Sequence, residues 1–162
     1  MVQVKLQVNG RQVEREVEGR TLLVEFIRRE LGMTGTHVGC DTTQCGACTV
    51  SLDGAAVKSC TVLAAQASGG CVRTVEGLEQ GGRLSAVQEA FVQCHSLQCG
   101  FCTPGMIMAI DYFLREKPAA LDDETIHTAL EGNICRCTGY VNIIEAVRVA
   151  ARRLYPELEA HA

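Results

Sequence analysis

Cys40, Cys45, Cys48 and Cys60 form one group of thiols, and Cys99, Cys102, Cys135 and Cys137 form a second. In the first, four residues separate Cys40 from Cys45, two separate Cys45 from Cys48, and eleven lead on to Cys60. That is the plant-type spacing of a four-thiolate [2Fe–2S] site. The second group joins a CxxC at Cys99 and Cys102 to a CxC at Cys135 and Cys137. Two short loops, distant in the chain, must meet in space to close it. A chain with two such sites is expected to move electrons.

Other chemistries of cysteine have to be weighed against this. Disulfides suit small secreted chains, whereas these 162 residues can build an ordinary core and open on no signal-peptide pattern. Structural zinc is the better rival, since CxxC pairs occur there too. Against zinc stands the first loop, which would wrap three close cysteines around the metal with Gly39 and Gly46 beside them. Gly100, Gly105, Gly132 and Gly139 flank the second group. Glycine lets backbone N–H groups approach sulfur, where they offset the charge of an anionic cluster and tune its potential. A Rieske centre needs two histidine ligands, and none of the four histidines has the Cys-x-His or Cys-x-x-His spacing. All eight ligands are therefore read as thiolates.

The elements that must position these loops can be read from periodicity. Residues 2–8 and 11–17 alternate as strands joined by Asn9-Gly10, a hairpin signal. Thr21 is expected to cap a helix over 22–31. Residues 49–52 and 55–57 flank Asp53-Gly54, a second hairpin that returns Cys60 toward the first loop. A further strand is expected at 72–76, and the glycine-rich stretch 76–83 marks a boundary. Beyond it, Ser85 and Gln88 suggest a capping box for one helix, and Pro104 opens another to Arg115. Asp122 caps a third to Leu130, and Asn142 with Glu145 suggests a capping box for a fourth. Both ligand pairs of the second group would then precede helix N-termini, whose positive dipole ends favour an anion. The expected fold is α+β: a β-grasp ferredoxin-like domain over residues 1–78, then a four-helix cluster-binding domain over 79–162.

Composition sets outer bounds. With 47% hydrophobic and 21% charged residues the chain is globular rather than disordered; its net charge is −4, and no nucleic-acid partner is expected. The longest apolar stretch, 105–110, is stopped by Asp111, well short of the roughly 20 residues of a membrane span. A soluble, cytoplasmic protein is expected, with the 156–162 tail solvated.

The segments GCDTTQCGACTVSLDG, VKSC, LQCGFCTPGMIM and GNICRCTGY resemble the small iron–sulfur subunit of the molybdenum hydroxylases, the xanthine oxidase family. Both ligand groups occur in the family's order, and the likeness runs along nearly the whole chain. Within the family the chain looks nearest to the small subunit of aerobic carbon monoxide dehydrogenase. Small subunits of aldehyde or N-heterocycle dehydrogenases are the alternative. The resemblance implies that this chain carries electrons and has no substrate site of its own. They would pass from a molybdopterin centre, in its cytosine dinucleotide form, in a large subunit to FAD in a medium subunit, within a dimer of heterotrimers. It further implies that Cys99, Cys102, Cys135 and Cys137 hold the molybdenum-proximal cluster, with Cys137 the ligand nearest the pterin. Cys40, Cys45, Cys48 and Cys60 hold the other. Gln98 matches the family glutamine that hydrogen-bonds the pterin cofactor, although from its sequence position alone it could simply brace its loop.

Cys71 and Cys94 fall outside the pattern and are expected to be buried thiols. His95 beside Cys94 lacks a hydrolase context, and residues adjacent on a helix point about 100° apart, so no Cys/His catalysis is expected. Arg136 could offset cluster charge or reach solvent. A freestanding two-cluster ferredoxin remains the competing class, and the second ligand group with Gln98 argues for a chain that abuts another subunit.

Overall fold

The computed structural model describes residues 1–156; most of the 156–162 tail lies outside the described residues. Strands β1 (Val2–Val8) and β2 (Arg11–Val17) pair antiparallel, with Val2 opposite Val17 and Val8 opposite Arg11. Asn9 and Gly10 both take positive φ, 49° and 81°, as a tight two-residue hairpin of this twist requires. Strands β3 (Thr49–Leu52) and β4 (Ala55–Lys58) form the second hairpin around Asp53 and Gly54, again with positive φ. Strand β5 (Cys71–Arg73) runs parallel to β1 and antiparallel to β3, giving the order β2-β1-β5-β3-β4.

A helical segment packs on this sheet as a short α-turn, α1 (Leu23–Glu25), continued by a π-turn over Phe26–Glu30. Leu23, Phe26 and Ile27 are buried against Val4, Leu6, Val8, Val50 and Val72. Thr21 is not its cap. The Thr21 carbonyl accepts from Ala64 N–H, and Leu22 forms a β-bridge with Leu63, so the helix starts only after this bridge. The expected strand over 72–76 is also shorter. Asn9 receives the Thr74 N–H at 2.9 Å and donates to Thr74 Oγ1 at 3.0 Å, turning the chain into a 3-10 turn over Val75–Leu78.

The second half is four helices: α2 (Ala86–Gln93), α3 (Thr103–Arg115), α4 (Asp123–Leu130) and α5 (Val141–Leu154). The Ser85 hydroxyl accepts from Gln88 N–H while Gln88 Oε1 receives the Ser85 N–H, closing the capping box. Asp122 Oδ1 accepts the Thr125 N–H at 2.8 Å, and that bond holds its carboxyl below the usual aspartate range. Phe91, Met106, Ile110, Leu114, Ile126 and Ile143 fill the core, each contributing about 1.5–3 kcal/mol by leaving water. The fourth helix departs from expectation. Its N-cap is Tyr140, at φ 68°, and Asn142 lies inside it with its amide on the His95 carbonyl. Glu145 pairs with Arg152 rather than closing a box. Helix α3 packs on β3 and β4 as well as on the other helices, so the two halves share a wall. Among the described residues no helix is long and apolar enough to cross a membrane.

Candidate iron–sulfur centres

The first thiol loop lies between the π-turn and β3. The Arg28 guanidinium fixes its approach by donating to the Thr34 and Thr36 carbonyls at 2.9 and 2.6 Å. Lys58, the last residue of β4, donates to the Thr43 carbonyl at 2.9 Å and closes the loop. Ser59 donates from both its N–H and its hydroxyl to the Cys48 carbonyl, which sets Cys60 beside Cys48. The Cys45 N–H points at Cys40 Sγ, 3.4 Å away, and this backbone donor chiefly brings the Cys40 thiol down to about 6. Burial, reinforced by Cys48, pushes Cys60 up to about 11. Burial also raises Cys45.

In the second group Cys99 and Cys137 face each other with sulfurs 3.5 Å apart. The Phe101 backbone N–H lowers the Cys99 thiol, and the facing Cys99 raises Cys137. Burial pushes Cys102 up to about 12, with its partner Cys135 adding to the effect. Burial alone would raise Cys135, but hydrogen bonds outweigh it, led by the Thr138 hydroxyl at 3.2 Å, and the thiol is lowered. Cys102 stands at the N-cap of α3, and Cys137 lies just ahead of α5.

Each group thus comes as two pairs: Cys40 with Cys45 and Cys48 with Cys60, then Cys99 with Cys137 and Cys102 with Cys135. Among the described residues no three Cys, His, Asp or Glu side chains converge on a single-ion site. Two thiolates for each of two irons is what a [2Fe–2S] centre takes, whereas tetrahedral zinc wants all four sulfurs about one point. The donor set fits in another respect. Cys60 and Cys102, both half-buried and pushed up to about 11 and about 12, would stay protonated at neutral pH, and a bound metal is what makes a thiol ionise there. Beside Cys102, the buried Thr103 hydroxyl has no hydrogen-bond partner among the described residues.

The loops of the two centres touch. Ile134 N–H, between Asn133 and Cys135, donates to the Cys45 carbonyl at 2.9 Å. The buried Asn133 amide donates to the Gly46 carbonyl at 3.1 Å and reaches Thr49 Oγ1 at 3.4 Å. Gly46 is obligatory here: it has φ 72°, and a Cβ on it would lie 2.6 Å from Asn133 Cγ. His37 stacks on Phe101 at 4.7 Å and contacts its carbonyl through Nδ1 at 2.8 Å. Sequence reasoning missed Asn133, Thr138, Lys58 and His37. They act through partners far along the chain or through hydrogen bonds that spacing does not reveal.

Gln98 is exposed and, among the described residues, makes no hydrogen bond. Leu97, Phe101, Ile134 and Val141 are exposed around the second group. Arg136 is exposed as well. Cys94 is half-buried against the helical core, but Cys71 corrects the expectation: it is exposed at the start of the central strand β5, with Sγ 3.1 Å from Gln7 Oε1. His95, at φ 51°, lies beyond the end of α2 rather than on it.

Two family models match the chain: the 2Fe-2S iron-sulfur cluster binding domain over residues 6–72 and the [2Fe-2S] binding domain over residues 74–148. The chain is 51% identical over 148 residues to the caffeine dehydrogenase subunit gamma of a Pseudomonas species, covering 90% of this chain and 88% of that one. It is 48% identical over 146 residues to the nicotine 6-hydroxylase small subunit of Paenarthrobacter nicotinovorans, covering 90% and 87%. Its fold superposes on a chain of quinoline 2-oxidoreductase from Pseudomonas putida 86 with a TM-score of 0.88 and 43% identity, covering 94% of this chain and 96% of that one.

Proposed function

This chain belongs to the small iron–sulfur subunits of the molybdenum hydroxylases, and from that membership we propose that it relays electrons within an enzyme that hydroxylates an N-heterocyclic substrate. In this reading Cys99, Cys102, Cys135 and Cys137 hold the cluster nearer a molybdopterin centre in a large subunit. Cys40, Cys45, Cys48 and Cys60 hold the one nearer FAD in a medium subunit. Bound [2Fe–2S] clusters supply one-electron chemistry. The chain's own part is to hold them and join them. One observation carries the reading: the Ile134 N–H on the Cys45 carbonyl links the two ligand loops directly. The exposed Gln98 and the apolar residues near Cys99 and Cys137 suit a large partner seated there. The assembly would be a cytoplasmic dimer of heterotrimers, with the pterin in its cytosine dinucleotide form.

The relatives' names favour the N-heterocycle alternative over carbon monoxide, since caffeine, nicotine and quinoline are all nitrogen heterocycles. The test is to purify the native complex and follow bleaching of its iron–sulfur absorption under caffeine, nicotine, quinoline and carbon monoxide in turn. Bleaching by a heterocycle is expected. Bleaching by carbon monoxide alone would return the chain to the carbon monoxide dehydrogenases, and a chain that purifies without molybdenum or flavin partners would contradict the relay.

A further inference from the structure

Between the two thiol groups lies a cluster of hydrogen-bonded polar groups. Asn133 is 7% exposed, and its carboxamide donates to the Gly46 carbonyl at 3.1 Å and toward Thr49 Oγ1 at 3.4 Å. The Thr49 hydroxyl donates to the same Gly46 carbonyl at 2.7 Å. On its main-chain side, the Asn133 carbonyl accepts from the Tyr140 hydroxyl at 3.2 Å, and that hydroxyl accepts the Cys135 N–H at 2.9 Å. The residue is therefore held at both ends, by the first loop through its amide and by the second through its carbonyl. The next residue is Ile134, whose N–H makes the bridge to Cys45.

This arrangement is more than is needed to satisfy a buried amide. A single water or one carbonyl could pair the Asn133 donor, yet it is aimed at the residue that follows Cys45 while its own peptide leads to Cys135. We propose that Asn133 is the positioning residue of the inter-cluster bridge: it locks the two ligand loops in register, so that the Ile134 N–H stays on the Cys45 carbonyl. Thr49 supports it from β3, and Tyr140 supports it from the head of α5, where the strained left-handed backbone at φ 68° holds the phenol in place. Electron tunnelling weakens steeply when a hydrogen bond in its path opens into a gap. Loss of the lock should therefore act on the rate between clusters rather than on either cluster.

The inference rests on the relay reading, and one experiment separates the two. The purified complex is reduced by a flash of photoreduced 5-deazaflavin, and the two clusters are followed by their distinct EPR signals. In Asn133→Ala, equilibration between clusters should slow several-fold. Each cluster's own signal and midpoint potential should be retained. Thr49→Val, which removes one hydroxyl at constant size, should slow it in the same direction and decides the matter if Asn133→Ala fails to load its clusters. Unchanged equilibration in the loaded variants would overturn the positioning role alone. Absence of equilibration in the unmutated complex would overturn the relay itself.

Discussion

Gln98 precedes Cys99 with its carboxamide exposed and unshared among the described residues, an arrangement that makes sense when the polar partner belongs to another chain. If it bonds a pterin at the subunit boundary, Gln98→Ala should leave unpaired groups there and cost about 1–3 kcal/mol of that contact. Reduction of the clusters by substrate should slow, or molybdenum should be lost, while chemical reduction proceeds as before. Stopped-flow absorbance and metal analysis read both, and unchanged values would make Gln98 a bystander. At this scale the candidate ligands were legible because cluster chemistry imposes spacing on a short loop. Asn133 was not, because its partner Gly46 stands 87 residues away and nothing local marks the pair. Cys71 was misjudged for a similar reason: alternation along β5 says which residues share a face, but not that the first residue of this central strand stays exposed.

Elements were most legible where a turn or cap is chemically forced. Asn9-Gly10, Asp53-Gly54, Ser85 with Gln88, Pro104 and Asp122 all mark boundaries that the structure keeps. Thr21 and Asn142 failed because tertiary bonds claimed their backbone or side chain first, in the Leu22–Leu63 bridge and on the His95 carbonyl. Helix α3 carries the sharpest structural demand. Gly105 in its first turn sits against the Gly46 carbonyl, and a Cβ there would also lie 3.0 Å from Ala47 Cα, backbone that cannot swing aside. Gly105→Ala should therefore destabilise the chain by about 1–3 kcal/mol through overpacking, despite the better helix propensity of alanine. A lowered melting temperature with weakened signals from both clusters is the expected result, because α3 carries Cys102 at one end and presses on the first loop. A rise in stability would show that the loop yields.

As a whole, the molecule sets two ligand loops from different folds against each other, one delivered by a sheet and the other by helix N-termini. Each half has its own core, and the contact between them is made by the loops and by α3 on β3. No periodicity or composition predicts that contact, which depends on how two surfaces meet. The central claim is that this chain holds two separate [2Fe–2S] centres, one in each thiol group. The most direct measurement is an EPR-monitored reductive titration of the purified complex with iron analysis, run beside Cys48→Ser and Cys102→Ser. About four irons per chain and two distinct one-electron signals are predicted. Cys48→Ser should remove only one signal and Cys102→Ser only the other. A single signal, about two irons per chain, or loss of both signals from either substitution in a folded protein would contradict the account.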